Sequence, residues 1–214
     1  MASDDILAAL LDNARDTVDL LANTRRVDRE RSTCAAFLRC AGVAFLPDQL
    51  VRSATKPPDV LFENACFEVA LYLPPGRRMH DEWRERVRQY QKARTLEELI
   101  EPYSPPPTIT QQQLVELVIP IATQKATHYA SRRIDCGNID LLVYIDDALV
   151  LDPASPQPDV TQLLGQGWRS VSALLPPYAY VLFTNASAAQ FLNELARFPV
   201  ARWTAPLSTG LFGL

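Results

Sequence analysis

The sequence predicts an α/β (α+β) fold: a mixed central sheet flanked by helices. Three observations predict it. Apolar residues recur with helical spacing at the N-terminus and again after residue 110. "DVLF" and "CFEVALYL", joined by "ENA", read as two strands around a tight turn. "IDLLVYID", between helical stretches, is a continuous apolar run with the length of a strand buried on both faces. Helices before, between and after such strands give one main domain, residues 1–214.

The elements follow in order. Residues from Ser3 to about Ala41 look helical, with Ser3 as N-cap and Gly42 as the stop. That length implies two helices, or one bent near Asn23-Thr24. "VAFL" (Val43 to Leu46) reads as a short strand, and "RSATKPP" as a loop leading into the hairpin. "MHDEWRERVRQYQKARTLEELI" reads as an exposed, highly charged helix. "EPYSPPPTI" is a loop, since its four prolines cannot continue a helix. Thr110 and Gln113 form a capping box for a helix to about Arg132, kinked at Pro120. After "IDLLVYID", residues 152–214 hold a loop, two strands around Pro176-Pro177 and a last helix, "SAAQFLNELARF". They form an extension packed on the core.

Composition narrows the function classes. The chain has 214 residues, 48% apolar and 21% charged, the profile of a globular protein. No run of eighteen apolar residues suggests a membrane span. The N-terminus is acidic and amphipathic, unlike a secretory signal, and the four cysteines show neither CxxC nor zinc spacing. A cytoplasmic protein with reduced core thiols is expected. A net charge of −4 argues against coating nucleic acid by bulk charge. Locally, however, Arg77 to Arg94 holds seven basic residues against three acids. Such a stripe suits a phosphate backbone, or else a solvated helix face with i,i+4 pairs.

The hairpin carries two carboxylates that a buried sheet does not need. With Asn64 and Ala65 in the turn, Glu63 pairs with Cys66 and Asp59 with Ala70. Asp59, Glu68 and Ala70 then share one face. Two buried acids repel and lose water, and a hard divalent cation such as Mg²⁺ removes both penalties. Two further charges sit on apolar helix stripes. Glu30 lies in the row Val27, Glu30, Cys34, Phe37, Ala41, and Lys125 in the row Leu114, Leu117, Ile121, Lys125, Tyr129. Lysine is scarce: Lys56, Lys92 and Lys125 stand against eighteen arginines. A lysine kept on an inward stripe suggests a role for a compact point charge. Each residue also has a structural alternative: Asp59 in a turn, Glu68 at a sheet edge, Lys125 with its stem along the core, Glu30 paired with a neighbouring arginine.

These residues resemble the PD-(D/E)xK nuclease superfamily. "PPD" (Asp59) matches the first half of its signature, and "EVA" (Glu68 to Ala70) the second half except for the final lysine, replaced here by Ala70. The order helix, three strands, helix, strand over residues 25–146 is similar to its restriction-endonuclease-like core. Glu30 resembles the acid many members carry on the first core helix. Lys125 and Tyr129 are spaced like the glutamine and tyrosine of the RecB-like branch. "PPDVLF", "FEV", "GRRMHDEWR" and "GWRSVS" also resemble a bacterial family of unknown function that carries an endonuclease label.

The resemblance implies a metal-dependent endonuclease acting on phosphodiester bonds, or a catalytically inactive descendant that binds nucleic acid or a protein partner. It implies Mg²⁺ or Mn²⁺ on Asp59, Glu68 and the Val69 carbonyl, with Glu30 through water or at a second ion. Lys125, beside Tyr129, takes the place of the missing strand lysine; Lys56, on a loop, is the second candidate. Arg77, Arg78, Arg84 and Arg88 are expected on the nucleic-acid backbone. The expected partners are nucleic acid, DNA ahead of RNA, and a second copy of the chain, with no membrane.

Overall fold

The structure is a computed structural model that describes residues 3–100, 102, 104–196 and 201–202. By its internal contacts the chain forms two compact units: Met1–Arg29 with Leu73–Pro105, and Glu30–Tyr72 with Pro106–Leu214.

The first unit holds α1 (Ser3–Leu21), a 3-10 turn at Asn23–Arg25, the first residues of α2 (Arg26–Cys40) and α3 (Met79–Lys92). The N-terminal helical stretch is thus two helices, broken near Asn23-Thr24 as the sequence suggested. Arg25 ties the break by pairing with Asp19 and Asp28, and Arg29 donates to the Leu20 and Leu21 carbonyls left open at the end of α1. α1 packs on α3. The charged helix is shorter than its pattern suggested. α3 stops at Lys92, Ala93 turns to extended geometry, and Glu97–Leu99 forms only a 3-10 turn.

In the second unit α2 continues to Cys40 and ends at Gly42, whose φ of 72° favours glycine. Val43 to Leu46 form no strand. Val43 and Phe45 pack beneath the sheet instead, and the first strand is β1 (Val51–Arg52). There follow β2 (Val60–Phe62), β3 (Ala65–Tyr72), β4 (Thr108–Ile109), α4 (Gln111–Ser131), β5 (Asp140–Ile145), β6 (Val150–Leu151), α5 (Thr161–Leu164), β7 (Ser170–Leu175), β8 (Tyr178–Thr184), α6 (Gln190–Leu195) and β9 (Ala201–Arg202). The Thr110–Gln113 capping box is formed reciprocally, and α4 runs on through the exposed Pro120. Trp203, residues 197–198 of the expected last helix, and the Ser3 side chain lie outside the described residues.

One seven-stranded mixed sheet runs β1-β2-β3-β5-β7-β8-β9, with β3, β5 and β7 parallel and the other pairs antiparallel. A separate parallel pair joins β4 to β6. Side chains alternate between two cores. Ala70, Leu141, Val143 and Val171 face Leu114, Val118 and Ala122 of α4. Phe67, Leu142, Tyr144 and Leu174 face Phe37 and Leu38 of α2 and Leu192 of α6. Strand β5 is buried at every residue, which is why its sequence shows no alternation.

Candidate active site

The hairpin turns at Glu63-Asn64, not at Asn64-Ala65. Phe62 pairs with Ala65, Leu61 with Cys66 and Val60 with Phe67, and Glu63 takes a φ of 51° to close the turn. Asp59 therefore does not pair with Ala70. It stands just ahead of β2, its N–H donating to the Phe67 carbonyl at 2.8 Å. Its Oδ2 accepts the Val69 N–H at 3.1 Å. Asp59 and Glu68 are 2% and 4% exposed, so neither is a surface acid.

Each of these carboxylates has its own lysine. From α4, Lys125 Nζ reaches Glu68 Oε1 at 2.5 Å. One turn further on, Tyr129 donates its hydroxyl to Glu68, with its ring edge-on to the buried Trp168. From the loop before β2, Lys56 Nζ lies 2.7 Å from Asp59 Oδ1 and 3.3 Å from Glu30 Oε2. Glu30 comes from α2 and is 5% exposed. Two of the chain's three lysines thus meet three buried carboxylates drawn from two helices and the hairpin.

The electrostatics follow from burial and these pairings. Loss of water pushes the Glu68 carboxyl above its ordinary value; Lys125 pulls it back and the Asp59 charge raises it again. Burial lowers the proton affinity of Lys56, but hydrogen bonding and charge from Asp59, then Glu30, outweigh it, so its ammonium is held more firmly than in water. Burial and the Glu68 charge push the Tyr129 phenol well above its usual range, keeping it a proton donor. Cys34, fully buried on α2, is raised by burial and then by Asp59 and Glu30, which rules out a ready thiolate there.

Among the described residues no three of His, Cys, Asp and Glu gather as a metal-binding group. Glu30 is held away by Lys56 rather than joining the other two acids as a ligand. What remains, Asp59 and Glu68, still fits a hard cation: Mg²⁺ takes oxygen ligands and is commonly held by one or two carboxylates plus water and phosphate.

The expected nucleic-acid arginines lie in the first unit, the carboxylates and lysines in the second. Arg77 pairs with Glu82 at 2.9 Å, Arg88 with Glu85 at 2.8 Å, and Arg78 more loosely with Asp81 at 3.9 Å. Arg84 is exposed.

Two things escaped the sequence reading. Lys56 serves two acids at once; the scarcity of lysine was its only signal. A second buried network centres on Asp140, which accepts the Cys66 N–H at 2.8 Å, the Ser170 hydroxyl at 2.7 Å and two nitrogens of Arg169. Arg169 also donates to the Asn64 carbonyl at 3.1 Å, so this network clamps the hairpin turn to β5 and β7. Its signal was an aspartate opening a wholly apolar strand.

Comparison with known proteins adds three findings. A solved structure from Pseudomonas aeruginosa strain PAO1, described as a protein of unknown function of the monooxygenase superfamily, is 31% identical, with 96% of this chain and 98% of that one covered at a TM-score of 0.67. No curated protein matches. Residues 2–201 match the family described as "Putative endonuclease, protein of unknown function (DUF1780)". With nearly its whole length matched, the chain belongs to the DUF1780 family.

Proposed function

We propose that this protein is a divalent-cation-dependent endonuclease of the PD-(D/E)xK type, hydrolysing phosphodiester bonds of nucleic acid, DNA ahead of RNA. The observation that carries the reading is the Lys125–Glu68 contact. Strand β3 has the motif's carboxylate but Ala70 in place of its lysine. Ala70 lies on the α4 face of the sheet, and a lysine arrives from α4 to the neighbouring carboxylate on that side.

Asp59 and Glu68 would hold Mg²⁺ or Mn²⁺, with the Val69 carbonyl as a further oxygen. When bound, the cation supplies Lewis-acid charge at the phosphate. Lys125 places a second positive charge beside the oxygens on which negative charge builds in the transition state. Tyr129 keeps Glu68 oriented by its hydroxyl. Glu30 acts through Lys56. The α3 face with Arg77, Arg78, Arg84 and Arg88 supplies backbone contacts, Arg84 most directly.

The words attached to the family and to the Pseudomonas relative point to different reactions. The carboxylate–lysine cluster speaks for phosphoryl chemistry. One observation favours a second reading, a nuclease fold that binds nucleic acid or a protein without cutting: both carboxylates already carry a lysine counter-ion. Cleavage of single- and double-stranded DNA and RNA with Mg²⁺ or Mn²⁺ decides between them. Asp59→Ala and Lys125→Ala should each lower cleavage by about 100-fold or more. Cleavage unchanged in both variants defeats the catalytic assignment. Cation binding without cleavage of any substrate supports the second reading.

A further inference from the structure

We infer that Lys56 occupies the place of the divalent cation on Asp59 and must leave it before the cation binds, so that this residue sets the metal affinity of the site. The inference rests on the cation reading above. Asp59 has no idle oxygen: Oδ2 takes the Val69 N–H at 3.1 Å and Oδ1 takes Lys56 Nζ at 2.7 Å. A divalent ion on Oδ1 puts two like charges on one atom, which neither tolerates at such a distance.

The two lysines are not equivalent in this respect. Lys125 stems from a helix, its side chain is 24% exposed, and it contacts Glu68 beside the Tyr129 ring. Lys56 stems from a loop and its side chain is 40% exposed, against 1% for the Asp59 side chain it covers. It also has a second seat. Glu30 Oε2 is 3.3 Å away, so the ammonium can give up Asp59 and stay paired. This gives Glu30 a task that its distance from ligation otherwise leaves unexplained: it receives Lys56 when Asp59 takes the cation.

The test is Mn²⁺ affinity of the full chain without nucleic acid, read by calorimetry and electron paramagnetic resonance. Lys56→Met should bind Mn²⁺ about tenfold more tightly than the wild type, after discounting the Coulomb gain for the exposure of the lysine. Lys56→Arg, which keeps the charge, should stay near wild type. Lys92→Met makes the same charge change in the other unit and should shift affinity by less than about twofold. In a Lys56→Met, Asp59→Asn double variant the gain should vanish. If the wild type binds Mn²⁺ through Asp59 but Lys56→Met binds no better, the exchange is wrong and the cation site stands. If neither protein binds Mn²⁺, both the exchange and the cation site fall.

Discussion

Arg169→Met should be among the most damaging single changes in the second unit. It keeps most of the side-chain stem and removes only the guanidinium. Asp140 is 0% exposed, and the Arg169 side chain 12%. Without Arg169, the carboxylate keeps two neutral donors, the Cys66 N–H and the Ser170 hydroxyl. Removing one partner of a buried pair costs about 3–5 kcal/mol because the other charge stays buried. The two remaining donors reduce that, while the lost bond to the Asn64 carbonyl adds about 1 kcal/mol. The expected loss is about 3–4 kcal/mol in urea unfolding followed by circular dichroism at neutral pH. Adding Asp140→Asn removes the stranded charge, so the double variant should recover to within about 2 kcal/mol of wild type. A loss below about 1 kcal/mol for Arg169→Met, or a double variant as damaged as the sum of the singles, refutes the reasoning. Because this network clamps the turn at Asn64, Arg169→Met should also weaken cleavage without touching any group that meets phosphate.

Other expectations concern pH and reactivity. Lys125→Met strands Glu68, whose carboxyl burial already holds above its ordinary value. A raised carboxyl pKa means that ionisation opposes folding: stability is full at low pH and falls as pH rises through the folded-state value. The variant should therefore lose about 2–4 kcal/mol at neutral pH and much less near pH 4, in unfolding curves measured at both; equal losses would contradict it. Among the cysteines, Cys34 is raised far above its usual range and Cys40 to about 11, both by burial, and Cys136 is raised too, whereas Cys66 is half-buried. Timed labelling of native protein with a thiol reagent, read by peptide mass, should modify Cys66 first; early modification of Cys34 would mean that the α2 face opens readily.

The site was more legible in the sequence than the strand that opens the sheet. Glu30 and Lys125 were conspicuous because an amphipathic helix presents its core face at fixed spacing, and a charge in that row needs a partner. The row on α4 was read slightly off: Leu114, Val118 and Ala122 are its buried centre, and Leu117 and Ile121 only flank it. The missing strand at Val43–Leu46 has a different cause. An apolar run of four residues packs equally well as coil, and with Gly42 before it and Pro47 opening a 3-10 turn after it, nothing extends it into a ladder.

The hairpin shows which errors of register matter. The sequence reading set Glu63 opposite Cys66, and the structure sets Leu61 there. The slip is two residues, one full pleat, so it leaves each side chain on its own face; a slip of one would have turned Glu68 away from α4. Faces are therefore more legible than partners, because alternation fixes the first and turn geometry the second. Lys56 lay beyond either rule, since a loop has no period. It is brought over Asp59 by contacts that no pattern announces: the buried Ser53 donates its N–H to the Asp59 carbonyl at 3.1 Å and its hydroxyl to the Thr55 carbonyl at 2.6 Å, folding residues 53–59 back on themselves. Ser53→Ala should then act on the site through the loop alone. With its hydroxyl gone, Lys56 is less firmly seated, and Mn²⁺ affinity should move in the direction of Lys56→Met but not as far. A loss of affinity instead would mean that the loop holds Asp59 for the cation rather than holding Lys56 against it.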